Sequence, residues 1–179
     1  MLQRLKLGID VDEVIADWAG PFFERFNPKS DAEITKICTQ KLARDRDFWL
    51  TLPVIRRPIG FEPTLYCTKR SCLKTYTKEW LENNDFPKKP VYQVLCQNGN
   101  KARYIKGRVD LFIDDSPHNF IQMNKCGVPT LLMDTPYNQD LGPMLRVYSL
   151  DYAEIEDAYY LALETGIFED FKMFYDYDN

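Results

Sequence analysis

The chain predicts an α/β protein of three layers, a central parallel sheet between helices, with a small helical cap inserted after the first strand. Three observations carry that prediction. Short apolar runs alternate with helical stripes along most of the 179 residues, the pattern of βαβ units. Two of these runs end in paired acids: Asp10 and Asp12 follow Leu7-Gly8-Ile9, and Asp114-Asp115 follows Leu111-Phe112-Ile113. The alternation lapses between Asp17 and Pro63, where the chain reads mostly as helix. Residues 1–16 and 64–179 are thus assigned to the core, and 17–63 to the cap.

Leu5 to Asp10 alternates and then runs apolar, as a buried first strand does. Val14, Trp18, Phe22 and Phe26 recur by fours, a helical stripe over Glu13 to Asn27 that Gly20-Pro21 breaks or kinks. After the turn Asn27-Pro28-Lys29-Ser30, Ser30 or Asp31 caps a second helix through Arg44. Asp47 to Leu50 is a short helix, and Pro53 to Pro63 reads as a linker from its prolines and Gly60. Thr64 to Thr68 is the second strand. Leu73, Tyr76, Trp80 and Leu81 stripe a helix that ends before Pro87.

Val91 to Leu95 is the third strand, Asn100 to Lys106 a short helix, and Val109 to Ile113 the fourth strand. A helix over Asn119 to Cys126 leads to the strand Thr130 to Met133. Val147-Tyr148 forms a last strand, and Tyr152, Ile155, Tyr159 and Ala162 stripe the final helix. The acidic tail after Gly166 carries Phe168, Phe171, Phe174 and Tyr175, and is open to packing on the body, to fraying, or to serving as a homodimer interface.

Composition narrows the function. Aromatics at 14% and apolar residues at 45% suit a globular chain. A net charge of −4 argues against stable nucleic-acid binding, which depends on neutralising phosphates. The five cysteines are odd in number and form no CxxC pair, which fits free thiols in a reducing cytoplasm. No signal-peptide pattern precedes the first strand, and no apolar stretch approaches the length of a membrane span. A single histidine, His118, excludes mechanisms needing two or three, and reads as a helix N-terminal polar residue.

The acids point to a site. Carboxylates so close repel and raise each other's pKa unless a cation or a shared proton relieves them. Both clusters fall at C-terminal strand ends, where open α/β sheets bind ligands. One metal site assembled across neighbouring strands follows.

The order of the acidic pair, the Thr68 strand end, Lys101 and Asp114-Asp115 resembles that of the haloacid dehalogenase-like hydrolases, whose fold is Rossmann-like. Within them, Asp10-Val11-Asp12-Glu13-Val14-Ile15-Ala16-Asp17 is similar to the first motif of the 5′(3′)-deoxyribonucleotidase branch. Phe48-Trp49 with Leu52-Pro53 resembles its cap segment. Ile113-Asp114-Asp115-Ser116-Pro117 and Thr135-Pro136-Tyr137-Asn138 resemble its later motifs. Together these cover residues 5 to 140. Glu13 stands where that branch usually has glycine, so the turn after Asp12 is expected to differ.

The resemblance implies a Mg²⁺-dependent phosphomonoesterase acting on a small nucleotide through an aspartyl-phosphate. Asp10 is then the nucleophile and Asp12 the general acid/base. Asp10, Asp12 (through its carbonyl), Asp114 and Asp115 hold the metal, with the division between the last two left open. Thr68 would bind phosphate oxygens, and Lys69 and Arg70 beside it are candidates for the nucleotide. Lys101 balances phosphoryl charge in preference to Lys106, which a helix dipole alone explains. Trp18, Phe22, Phe48 and Trp49 are candidate base-stacking residues, although helix-spaced aromatics are usually core. Competing expectations are a phosphatase of another small ester or of a nucleic-acid 3′-phosphate, and a catalytically silent binding protein of the same fold.

Overall fold

The computed structural model describes residues 4–94, 99–141 and 145–173. Its strands are β1 (Leu7–Ile9), β2 (Leu65–Thr68), β3 (Val91–Gln93), β4 (Leu111–Asp114), β5 (Thr130–Met133) and β6 (Arg146–Val147). They form one sheet in the order β3-β2-β1-β4-β5-β6, every pairing parallel. This is an α/β, Rossmann-like arrangement. The chain builds outward from β1 through β2 to β3, then returns to the other side of β1 with β4. The strand order therefore reverses between β1 and β4, the place where such sheets open a crevice.

Side chains alternate along each strand, so the sheet feeds two apolar layers. Tyr66, Leu111 and Ile113 join one buried cluster, and Leu65, Cys67 and Phe112 join the other. Helix α4 (Lys74–Asn83) supplies Trp80 and α7 (Tyr152–Glu164) supplies Ile155 to the first cluster. Helix α5 (Ala102–Ile105) supplies Ala102 and Ile105 to the second. Gly8 pairs with Leu65 on one side and Phe112 on the other, and a Cβ there would lie 2.7 Å from the Phe112 ring. The centre of β1 has no room for a side chain.

Between β1 and β2 run α1 (Ala19–Phe26), α2 (Asp31–Gln40), a 3₁₀ turn (Leu42–Arg44) and α3 (Arg46–Leu50). Phe22, Ile37, Leu42, Phe48 and Trp49 from this stretch belong to the same cluster as the sheet residues. The Trp80 indole donates to the Leu52 carbonyl at 2.9 Å, and Arg46 of α3 pairs with Glu79 of α4. The returning segment is extended, not loose. Asp17 N–H donates to the Pro53 carbonyl, Ile55 N–H to Ile15, and Ile59 N–H to Leu150.

Several boundaries differ from the sequence reading. The expected helix over Glu13 to Asn27 begins only at Ala19. Glu13 sits in the left-handed region (φ 59°), and the Ile15 and Ala16 amides both donate to the Val11 carbonyl, closing a tight loop. Gly20-Pro21 consequently falls in the first turn of α1, where a missing N–H costs nothing, and does not break the helix. The second helix ends at Gln40, not Arg44; its Ser30 cap is present, the hydroxyl accepting from Glu33 N–H. Strand β3 ends at Gln93, and Leu95 lies outside the described residues. Helix α6 (Pro117–Lys125) starts two residues before the expected one, capped by Ser116.

Past Gly166 the chain packs back as α8 (Ile167–Met173), with Phe168 buried beside Tyr159. The Phe171 side chain, Phe174 and Tyr175 lie outside the described residues, and with them the proposed homodimer interface. Cys38, Cys67, Cys72 and Cys126 are free thiols, Cys96 also lying outside. Among the described residues no helix is long and apolar enough to cross a membrane.

Candidate functional site

Because β1 and β4 are neighbours in register, Ile9 beside Ile113, the acids that follow each strand arrive together at the switch point. Asp10, Asp114 and Asp115 are all buried, and one oxygen from each lies within 4.8 Å of the others. Lys101, at the start of α5, reaches the same point from a different strand–helix connection. Its ammonium donates to Asp10 Oδ2 and, at 2.7 Å, to Asp114 Oδ2, and it is wholly buried. Lys106, the alternative, bonds the Cys126 carbonyl on the surface. The position of the two ammoniums separates them: Lys101 is in the site and Lys106 is not.

Each acid has distinct support. Asp10 Oδ1 accepts the Val11 amide at 2.6 Å. Asp114 accepts the Ser116 amide and the Asn119 side-chain amide, both at 3.0 Å. Asp115 accepts the Tyr137 hydroxyl, and its own carbonyl accepts from Asn138 Nδ2 at 2.9 Å. Arg146 in turn holds Asn138 and Asp134. The Thr135-Pro136-Tyr137-Asn138 turn thus fixes Asp115 at both its side chain and its backbone.

Electrostatics follow from this crowding. Burial, with Asp114 and Asp12 nearby, lifts the Asp10 carboxyl from 3.8 to about 7, against the pull of Lys101. Burial, with Asp114 and Asp10 nearby, holds Asp115 well above the usual carboxylate range. The Lys101 ammonium is raised although burial opposes it, because Asp10 and Asp114 flank it. The four carboxylates of Asp10, Asp12, Asp114 and Asp115 outnumber the cations beside them, Lys101, Arg70 and the cleft-lining Lys69. The donors are all carboxylate oxygens, the choice of hard cations, and the trio could hold such an ion.

Asp12 is placed apart from the trio. Its carboxylate turns to Arg70, whose Nε lies 3.0 Å from Oδ1 and 2.9 Å from Oδ2, and the Thr68 hydroxyl donates to Oδ2 at 3.0 Å. The carboxylate of Asp12 is therefore not among the converging donors, and the contribution expected of Asp12 was its backbone carbonyl. Thr68 is fully buried with its hydroxyl on Asp12. Arg70 is 2% exposed and its guanidinium faces Asp12, beside a side cavity that Arg70 lines with Lys69 and Trp49.

Above the acids lies a cleft of about 520 Å³, lined by Asp10, Asp12, Lys69, Asp115 and Tyr137 at its polar end. That volume suits a small organic ligand. Trp18 and Phe23 form its apolar wall. Of the four expected aromatics, Trp18 alone faces this cleft. Phe22 is fully buried, stacked on Trp18 at 4.4 Å, and Phe48 is core. Trp49 donates its indole N–H to the Leu42 carbonyl and lines only a side cavity of about 160 Å³.

Sequence reasoning missed Phe23, Asn119 and the position of His118 on the cleft wall. A stripe read by fours selects Phe22, while its neighbour, about 100° round the helix, points to solvent and stays 46% exposed. Asn119 had a readable signal, a polar residue in the first turn of a helix following Asp114-Asp115.

Glu13 resolves differently from expectation. It keeps the left-handed backbone that favours glycine, and its Oε1 accepts the amides of Trp18 at 2.8 Å and Ala19 at 2.7 Å. The side chain caps α1 from outside the helix. The chain matches no protein-family model and no curated protein.

Proposed function

We propose that this protein is a divalent-metal-dependent phosphomonoesterase whose substrate is a small phosphate ester, with a nucleoside monophosphate as the best fit. One observation carries the reading: Asp10, Asp114, Asp115 and Lys101 converge at the β1–β4 switch point, and Asp10 and Asp115 of this group line a cleft walled by Trp18 and Phe23. Mg²⁺ is the cation this oxygen donor set favours; when bound it supplies charge neutralisation and orientation of the phosphoryl group.

Asp10 lies at the cleft floor and attacks phosphorus, forming an aspartyl-phosphate as the bond to the leaving oxygen breaks. Asp12 lines the same cleft two residues on, where it protonates that oxygen and later takes a proton from the water that clears the intermediate. Lys101 holds Asp10 in place and balances charge on the transferring group. The aromatic wall accepts a flat apolar group, and base–aromatic stacking contributes about 1–3 kcal/mol per base.

The test is phosphate release from a panel of nucleoside monophosphates, sugar phosphates and 3′-phosphorylated oligonucleotides, with Mg²⁺ and with EDTA. Turnover is expected on nucleoside monophosphates with Mg²⁺ only, and Asp10→Asn should abolish it. Activity that survives EDTA, or survives in Asp10→Asn, would sink the metal or the nucleophile assignment respectively. A preference for oligonucleotide ends would move the substrate class.

A further inference from the structure

Arg70 is a side chain that the cleft does not use directly, yet it is among the most heavily held in the molecule. Its guanidinium contacts both oxygens of Asp12 through Nε, and Nη2 adds a second bond to Oδ1 at 2.5 Å. Nη1 donates to the Thr77 hydroxyl at 3.3 Å, and Thr77 donates to Gln93 Oε1 at 3.2 Å. Gln93 closes the loop by donating from Nε2 to the Arg70 carbonyl at 3.0 Å. Trp49 covers the guanidinium, its ring centroid 4.9 Å away. Helices α4 and α3 therefore each contribute one contact to the guanidinium, and strand β3 holds the Arg70 backbone.

Asp12 is the recipient of that arrangement. Arg70 Nε is shared between the two oxygens of Asp12, Arg70 Nη2 adds to Oδ1 and the Thr68 hydroxyl to Oδ2, so both oxygens are held beside the cleft that Asp12 lines. Burial of the Arg70 side chain is complete, while that of Asp12 remains one-fifth exposed. The pair thus presents a fixed carboxylate edge to the ligand and keeps the cation out of reach.

We propose that Arg70 is a positioning residue, which fixes the carboxyl group of Asp12 for proton transfer to the leaving oxygen and pairs with the carboxylate that the transfer produces. The proposal rests on the phosphomonoesterase reading. In the step, the bond between phosphorus and the leaving oxygen breaks, the proton of the Asp12 carboxyl passes to that oxygen, and the charge left on Asp12 lies against the guanidinium. Arg70 touches neither phosphate nor nucleoside.

Leaving groups separate this role from a merely structural one. A nucleoside 5′-monophosphate departs as an alkoxide and needs the proton, whereas 2,4-dinitrophenyl phosphate departs as a stable anion and does not. Arg70→Gln should lower kcat on the nucleotide by about 10²-fold or more, the usual scale of general acid catalysis. On the dinitrophenyl ester the loss should be less than about fivefold, with KM for both little changed, again on the scale that general acid catalysis sets. Arg70→Lys, which offers a point charge in place of a fork, should fall between wild type and Arg70→Gln on the nucleotide.

Equal losses on both esters, or a rise in KM alone, would overturn the proposal. Thermal unfolding of Arg70→Gln, Asp12→Asn and the double variant gives a readout independent of turnover: the effects should be strongly non-additive. If the wild type hydrolyses neither ester, the phosphomonoesterase reading fails, and additive melting shifts would remove the positioning claim as well.

Discussion

At the scale of single residues, Glu13 shows how a chain keeps a glycine-type turn without glycine. A non-glycine residue in the left-handed region costs about 1–2 kcal/mol. Two short amide bonds to the carboxylate offset that cost by capping α1. Glu13→Ala should therefore destabilise more than Glu13→Gly, by about 1 kcal/mol in urea unfolding, since both lose the cap and only alanine retains the strain. Equal midpoints for the two variants would show that the backbone there is unstrained.

The same residue marks the limit of what the sequence discloses at this scale. Asp10 and Asp114-Asp115 were legible because acids ending apolar runs are chemically conspicuous. Lys101 was legible because the resemblance places a lysine there, while a helix dipole accounts for Lys106. The left-handed turn was legible as a departure, but its outcome depends on where the Trp18 and Ala19 amides point, a tertiary fact. Arg70, beside the strand end at Thr68, was open to reading as a nucleotide contact or as a solvated turn. Nothing in the sequence says that the side chain turns inward toward Asp12.

At the scale of elements, the connections matter more than the strands. Arg56, in the segment returning from the helical insertion, donates from Nη1 to the Glu13 carbonyl at 2.8 Å and from Nη2 to the Asp134 carbonyl at 3.2 Å. One guanidinium thus ties the loop after β1 to the loop after β5, on either side of the acids. Arg56→Ala should lower stability by about 1–3 kcal/mol in chemical denaturation, the cost of leaving part-buried carbonyls unpaired. Arg56→Lys should recover only part, because a lysine cannot span two loops with separate donors. Indifference to both substitutions would mean water replaces the clamp.

Strand and helix types were legible from alternation and stripes, including Thr130 to Met133 at its observed ends. The linker reading of the returning segment holds, since it contains no helix or strand, but it does not disclose how the segment is tied down. Prolines and Gly60 announce broken helix, but they do not announce that Ile55 and Ile59 will donate to Ile15 and Leu150. Isolated bridges of that kind carry no periodicity.

At the scale of the molecule, the acids impose a pH dependence on folding. The Asp10 carboxyl is raised by burial from 3.8 to about 7, so between those values the unfolded chain has released a proton that the folded chain keeps. Stability from this group is complete below about 3.8 and is lost as pH rises through about 7. In EDTA, the melting temperature should fall from pH 5 to pH 8, and Mg²⁺ added at pH 8 should restore it by binding the folded state alone. A melting temperature that climbs over this range, or ignores Mg²⁺, would contradict the charge excess at the switch point.

The helices between β1 and β2 share one buried cluster with the sheet, through Phe22, Phe48 and Trp49 on one side and Trp80 on the other. That continuity has a consequence for traffic. A covering with its own core could swing away as a rigid body, but this one cannot leave without exposing the aromatic interior it helps to build. Lifting the roof would therefore cost buried aromatic surface, and at the mouth of the cleft stand the half-buried Trp18 and the exposed Phe23.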